Sequence, residues 1–106
     1  MSKNEKITAV APDLLQTEQD IRNVCDELKG FLIEKNRRYG NSALWPLRIF
    51  SRASKTEQLQ VRIDDKLSRI SNNKHDLRMN DTVDLMGYLV LLCVAMEWTD
   101  FEELID

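Results

Sequence analysis

The sequence is poor in the residues that most directly advertise chemistry. Its only histidine, His75, lies in a polar stretch, and no serine stands in a nucleophile context, so histidine-assisted nucleophilic catalysis has no parts to work with. The three glycines are scattered at 30, 40 and 87, which excludes a glycine-rich phosphate loop. Two cysteines with no accompanying histidine cluster offer neither a disulfide framework nor a zinc site. Cys25 and Cys93 both fall in apolar helical patterns and are expected to be buried thiols in a reducing compartment. The longest apolar run, Leu89 to Met96, is far short of a membrane span, and Met1 to Lys6 is polar, without the apolar core of a signal peptide. Fifteen Lys and Arg against eighteen Asp and Glu give a net charge of −3, so no electrostatic case exists for binding extended nucleic acid. Internal repeats, low-complexity segments and Gly/Ser linkers are absent, as is any strand signal of useful length. A cytoplasmic protein is expected.

What the chain does have is helical periodicity. Its 106 residues, 42% hydrophobic and 31% charged, suit one folded domain with a core of its own, residues 1–11 being expected as a flexible lead-in. Pro12 and Asp13 suit a first helical turn, and Leu14, Ile21, Val24, Cys25, Leu28, Phe31 and Leu32 recur as one apolar stripe, predicting a helix over about 12–36. Residues 36–46 break the period: Gly40 can take a positive φ, and Asn41 and Ser42 form turns. That loop is unusually apolar (Tyr39, Leu44, Trp45), so it is expected to fold onto the core or to cover something, and Pro46 opens a short helical segment through Arg52. Ser54 and Glu57 form a capping box for a helix running to about Ser71, with Leu59, Ile63, Leu67 and Ile70 as its apolar face. Asn80 is expected to cap a last long helix over about 81–97, apolar nearly all round and therefore buried on most sides. Thr99 and Glu102 repeat the capping-box spacing before a short acidic helix. The expected fold is all-α, three long and two short helices, with the last long helix covered by oligomerisation, as a dimer or higher, into a larger bundle.

Three groups of polar residues stand out on this scaffold. On the second long helix Arg62, Asp65 and Arg69 share a stripe beside Lys66, at the edge of the apolar face, while Asp64 lies well round from them. Arg62, Lys66 and Arg69 could offer cations to a phosphate; equally, such a stripe is often a solvated face whose own i,i+3 and i,i+4 pairs neutralise it. Asp81, Asp84 and Tyr88 share a face of the last helix. Asp81 suits a first turn, whereas Asp84 needs a base such as Lys66 or Arg69, or a cation, because an unpaired buried carboxylate is costly. An ion pair that merely locks the two helices together would serve as well. The turn Tyr39-Gly40-Asn41-Ser42 offers an aromatic ring and polar side chains near backbone N–H groups, or is simply a tight end to the first helix. Trp45 and Trp98 read as core or interface residues.

At these residues the sequence resembles a phage and bacterial nucleotide-modification-associated family. The matching positions are Lys35, Asn36, Tyr39, Gly40, Asn41 and Ser42, then Arg62, Asp64, Asp65, Lys66 and Arg69, then Asp81, Asp84, Gly87 and Tyr88, three ordered blocks across about half of the chain. More distantly, the helix order and acid placement are similar to all-α nucleotide pyrophosphohydrolases of MazG type, which hold Mg²⁺ between two acidic helices. That likeness implies Asp64 and Asp65 as one ligand pair and Asp81 and Asp84 as the other. Ser68 stands where the first motif's third carboxylate belongs, and Lys66 and Arg69 add positive charge where a dication needs oxygen ligands. Together these features imply a nucleotide-binding protein, in the form of a non-catalytic sponge that sequesters a nucleotide signal from host defence, in the host cytoplasm if the chain is phage-encoded. Its phosphate and base contacts would be Lys35, Asn36, Tyr39, Asn41, Ser42, Arg62, Lys66 and Arg69. A Mg²⁺-dependent MazG-like pyrophosphohydrolase using Asp64, Asp65, Asp81 and Asp84 is the alternative. A structural helical oligomer or protein-interaction module is the third reading. No membrane partner is expected.

Overall fold

The computed structural model describes residues 12–46, 50–73 and 75–105, and among these the chain is all-helical with no strand. Three α-helices, α1 (Pro12–Arg38), α2 (Lys55–Asn72) and α3 (Met79–Ala95), are followed by a single 3₁₀ turn at Glu102–Leu104. The all-α expectation holds, but not the count of two short helices. Residues 47–49 of the expected Pro46–Arg52 segment lie outside the described residues, and Phe50 to Arg52 are not helical. The expected flexibility of residues 1–11 also falls outside them. None of the described helices is long and apolar enough to cross a membrane. Contacts group the chain into two units, residues 1–34 and 35–106.

In the first unit the described chain is the N-terminal part of α1. Pro12 opens the helix and Asp13 sits in its first turn, where negative charge meets the free N–H groups. The helix runs through Gly30 without interruption. The N-terminal part of its apolar stripe is on the surface, with Leu14, Ile21 (58% exposed) and Val24 facing solvent, whereas Leu28 and Leu32 are half-buried. Cys25 is exposed too, and Cys93 in α3 only half-buried, which corrects the expectation of two buried thiols. A stripe buries its members only if something covers it.

The second unit begins with the last turn of α1. That helix ends on Gly40 at φ 61°, and the Asn41 N–H reaches back to the Asn36 carbonyl (3.1 Å), a Schellman-type stop that relies on glycine's tolerance of the left-handed region. Asn41 also has a positive φ (67°), and its carbonyl accepts from Leu44 (3.2 Å) and Trp45 (2.9 Å), which closes the following turn. Leu44 is half-buried, but Tyr39, Trp45 and Phe50 are exposed, so the aromatic loop does not fold onto the core as expected. Trp45 instead carries the Lys55 ammonium 5.3 Å from its ring centroid.

The capping box on α2 forms as read: Ser54 Oγ accepts from the Glu57 N–H and Glu57 Oε1 from the Ser54 N–H, each at 3.1 Å. α2 packs on α3 around Leu59, which is 1% exposed. α3 starts two residues earlier than expected. Arg78, extended at φ −96° and ψ 139°, precedes it, and Asn80 is its second residue and not its cap. Asp81 thereby falls at the third helical position, where it complements the helix N-terminus. The helix also stops earlier, at Ala95. Glu97 takes φ 62°, and the Trp98 N–H bonds the Cys93 carbonyl at 2.8 Å, a second Schellman-type stop. α3 is half-buried over most of its length but Leu89, Val90 and Val94 are exposed, against the expectation of burial on most sides. Beyond it, Asp100 and not Thr99 supplies the turn's acceptor, its Oδ1 bonding the Glu102 N–H two residues on (3.0 Å).

Candidate functional site

The two polar stripes singled out in the sequence lie against one another. Arg69 of α2 meets Asp81 of α3, Lys66 meets Asp84, and Arg62 meets Tyr88, so positions descending α2 pair with positions ascending α3. Spacings of three and four residues keep each set on one helix face, and the pairing order makes the two helices antiparallel.

Lys66 is the centre of the seam. Its ammonium is 3.0 Å from Asp84 Oδ2, a charge-assisted hydrogen bond, and 4.0 Å from Asp81 Oδ1. Its side chain is 15% exposed and that of Asp81 7%, so this part of the seam is sheltered from water. The base required by Asp84 is therefore Lys66. A further cation comes from outside the two helices: Lys35, in the last turn of α1, places its Nζ 3.8 Å from Asp84 Oδ1. The Arg69 side chain is 65% exposed, and its guanidinium is 4.0 Å from Asp81, near enough to feel its charge but too far for a hydrogen bond. Its planar fork of donors is not used up by Asp81. The Arg62 guanidinium lies 6.0 Å from the Tyr88 ring centroid, the outer limit of a cation–π contact.

The remaining residues fall round this seam unequally. Tyr39 donates its backbone N–H to the Lys35 carbonyl at 3.0 Å, which sets the Tyr39–Ser42 turn one helical turn beyond a lysine of the cluster. Asn36 and Ser42 are exposed and Asn41 half-buried. Asp64 and Asp65 are exposed on α2. Among the described residues, no group of three or more His, Cys, Asp or Glu side chains is arranged to hold a metal ion, so the four aspartates are not brought together as a ligand set. Lys66 occupies the space between Asp81 and Asp84 instead. Lys35 is expected from the sequence as a phosphate contact and not as a partner of Asp84, because nothing local in a basic helix end reveals which distant carboxylate it meets. The Arg62–Tyr88 contact was likewise missed, although both residues stood in the stripes already marked.

Chemically, the seam holds four cations (Lys35, Arg62, Lys66, Arg69) against the two carboxylates Asp81 and Asp84, with exposed Asp65 offsetting part of the difference. Such an arrangement can fix two helices together and still present donors to an anion at its exposed end. No protein-family model matches the chain, and comparison with curated proteins and with solved structures finds no match either.

Proposed function

We propose that the chain binds a nucleotide by its phosphate groups, at the exposed end of the ion-paired seam. The observation that carries this reading is the state of Arg69: it is held beside the sheltered Lys66–Asp84 pair, 65% exposed, with donors its 4.0 Å approach to Asp81 does not consume. A guanidinium in that condition suits bidentate contact with phosphate oxygens. Lys35 adds charge at Asp84 of the same seam, and the exposed Tyr39, one helical turn after Lys35, offers a stacking surface for a base. The resemblance of the three sequence blocks to the nucleotide-modification-associated family supports the same ligand class. It also favours sequestration over turnover, because Lys66 stands where a MazG-type dication would need open carboxylate oxygens.

The test is a thermal-shift panel of linear and cyclic nucleotides with and without Mg²⁺, followed by chromatography of any ligand recovered. At about a hundred times its dissociation constant a ligand stabilises the fold by roughly 2.7 kcal/mol. Arg69→Gln is expected to weaken binding by about tenfold or more while leaving the unliganded protein nearly as stable, since exposed pairs contribute only ~0–1 kcal/mol. Intact ligand returned after denaturation supports a binder. Conversion to monophosphate would replace this reading with hydrolysis, and the absence of any shift would leave the seam a purely structural lock.

A further inference from the structure

The two ends of the α2–α3 pair carry different chemistry. Arg69–Asp81, Lys66–Asp84 and Arg62–Tyr88 keep one antiparallel register. Carried on for about two helical turns, that register sets Lys55, the first residue of α2, across from Ala95, the last of α3. The segment leading into α2 and the segment leaving α3 therefore share one end of the second unit, opposite the Arg69–Asp81 end proposed for phosphate. Both segments are exposed and apolar, and they are oppositely charged. No acid occurs from Lys35 to Thr56, and no base from Met79 to Asp106. Before α2 stand Phe50, which is 98% exposed, the exposed Arg52, and Trp45 with the Lys55 ammonium over its ring. Beyond α3, the acids Glu97, Asp100, Glu102 and Glu103 are interspersed with Trp98, Phe101, Leu104 and Ile105, all of them exposed. Backbone bonds from Trp98 to Cys93 (2.8 Å) and from Leu104 to Phe101 (2.9 Å) give this acidic segment a defined shape.

We infer that this end is a self-association surface, on which two copies meet about a two-fold axis, the acidic segment of each lying on the basic segment of the other. A two-fold contact uses the same patch on both partners, so the patch has to complement itself. This one does: its two halves carry opposite charge, and each sets exposed aromatic rings among its charges. The halves do not cover one another within the chain, since Trp45, Phe50, Trp98 and Phe101 all stay exposed. Other occupants suit one half only. A nucleic acid or an anionic lipid surface would draw Arg52 and Lys55 and be repelled by the acids at the same end. A second copy satisfies both halves at once and removes from water the aromatic side chains that anchor protein interfaces. It also leaves Arg69 open at the far end of the pair.

The test uses the full chain. Sedimentation or light scattering at micromolar concentrations is expected to show a dimer at low salt that weakens as salt rises, because exposed charges are screened beyond about 10 Å at 0.1 M. Trp45 and Trp98 are the only tryptophans and stand on the two halves, so their emission should shift to the blue as the copies associate. Charge reversal on either half, Arg52→Glu with Lys55→Glu or Glu102→Lys with Glu103→Lys, is expected to weaken association by about tenfold or more, since like charges then face each other. Far-UV circular dichroism checks that each variant keeps its helices. Mixing the two reversed variants should restore the dimer, because each then carries the charge that the other lacks. Variants that stay monomeric when mixed overturn the two-fold contact. A wild-type chain that is monomeric, with emission independent of concentration, overturns the inference and leaves the surface to another protein. An oligomer indifferent to both reversals places the association elsewhere. Phe101→Ser leaves every charge in place and decides the matter should a reversed variant prove insoluble: undiminished association would sink this surface.

Discussion

A lysine whose ammonium lies 3.0 Å from one sheltered carboxylate and 4.0 Å from another cannot be removed without leaving negative charge behind. Lys66→Ala leaves Asp84 only the more distant Lys35 (3.8 Å) and Asp81 only Arg69 (4.0 Å), in a site where water reaches only partly. Breaking a fully buried pair costs about 3–5 kcal/mol, and the partial exposure here reduces the expected loss to about 2–3 kcal/mol. Asp84→Asn is expected to cost less, because Lys66 keeps Asp81 as a partner. Replacing both members, Lys66→Met with Asp84→Leu, should recover part of the loss, since Asp81 alone then remains in the seam with Arg69 beside it at 4.0 Å. Urea unfolding of the three variants reads this directly. A Lys66→Ala variant as stable as wild type would show that Lys35, Arg69 and solvent satisfy the two aspartates without it. The sequence pointed to this pairing because a carboxylate on an apolar helix needs a counter-charge, whatever the details of the fold. It could not reveal the approach of Lys35, whose position depends on where α1 happens to end.

Helix boundaries show the same division between local and distant causes. Ser54 and Glu57 satisfy each other's backbone N–H groups within four residues of chain, so the start of α2 was legible before any tertiary contact was known. Ser54→Ala is expected to destabilise by about 1 kcal/mol in urea unfolding, whereas Ser54→Asp, which preserves the acceptor, should stay near wild type. Equal losses in the two variants would assign the effect to packing and not to the cap. The Gly40 stop was legible for a similar reason, since few residues other than glycine accept φ 61° without strain. Where the reading failed, two local solutions competed. Asn80 and Arg78 both precede a helical run, and Asp81 makes the earlier start favourable by standing at the third position. Thr99 and Asp100 both offer an oxygen, and the aspartate's two-residue reach settles the final turn. Burial was the least legible property. The stripes on α1 and α3 predict that something apolar covers them, yet within this chain Ile21, Val24, Leu89 and Val94 stay exposed.

The exposed apolar residues Leu14, Ile21 and Val24 of α1 and the packed α2–α3 pair imply uneven stability along the chain. Helix nucleation is costly in water, and most helical stability in proteins comes from packing an amphipathic face. The α2–α3 pair has that packing within the chain, around Leu59 and the Lys66–Asp84 bond. Leu14, Ile21 and Val24 of α1 have no such cover among the described residues, and oligomerisation would supply it. Amide hydrogen exchange is therefore expected to separate the two. Protection across α2 and α3 should exceed protection over residues 14–24 in dilute protein. A rise over residues 14–24 with concentration would report a partner that binds only the folded segment and stabilises it by mass action. Ile21→Asp should abolish such a rise and leave α2 and α3 the better protected. Protection of residues 14–24 that is high and independent of concentration would mean that the helix is held without a partner, and the unevenness read from exposure would be wrong.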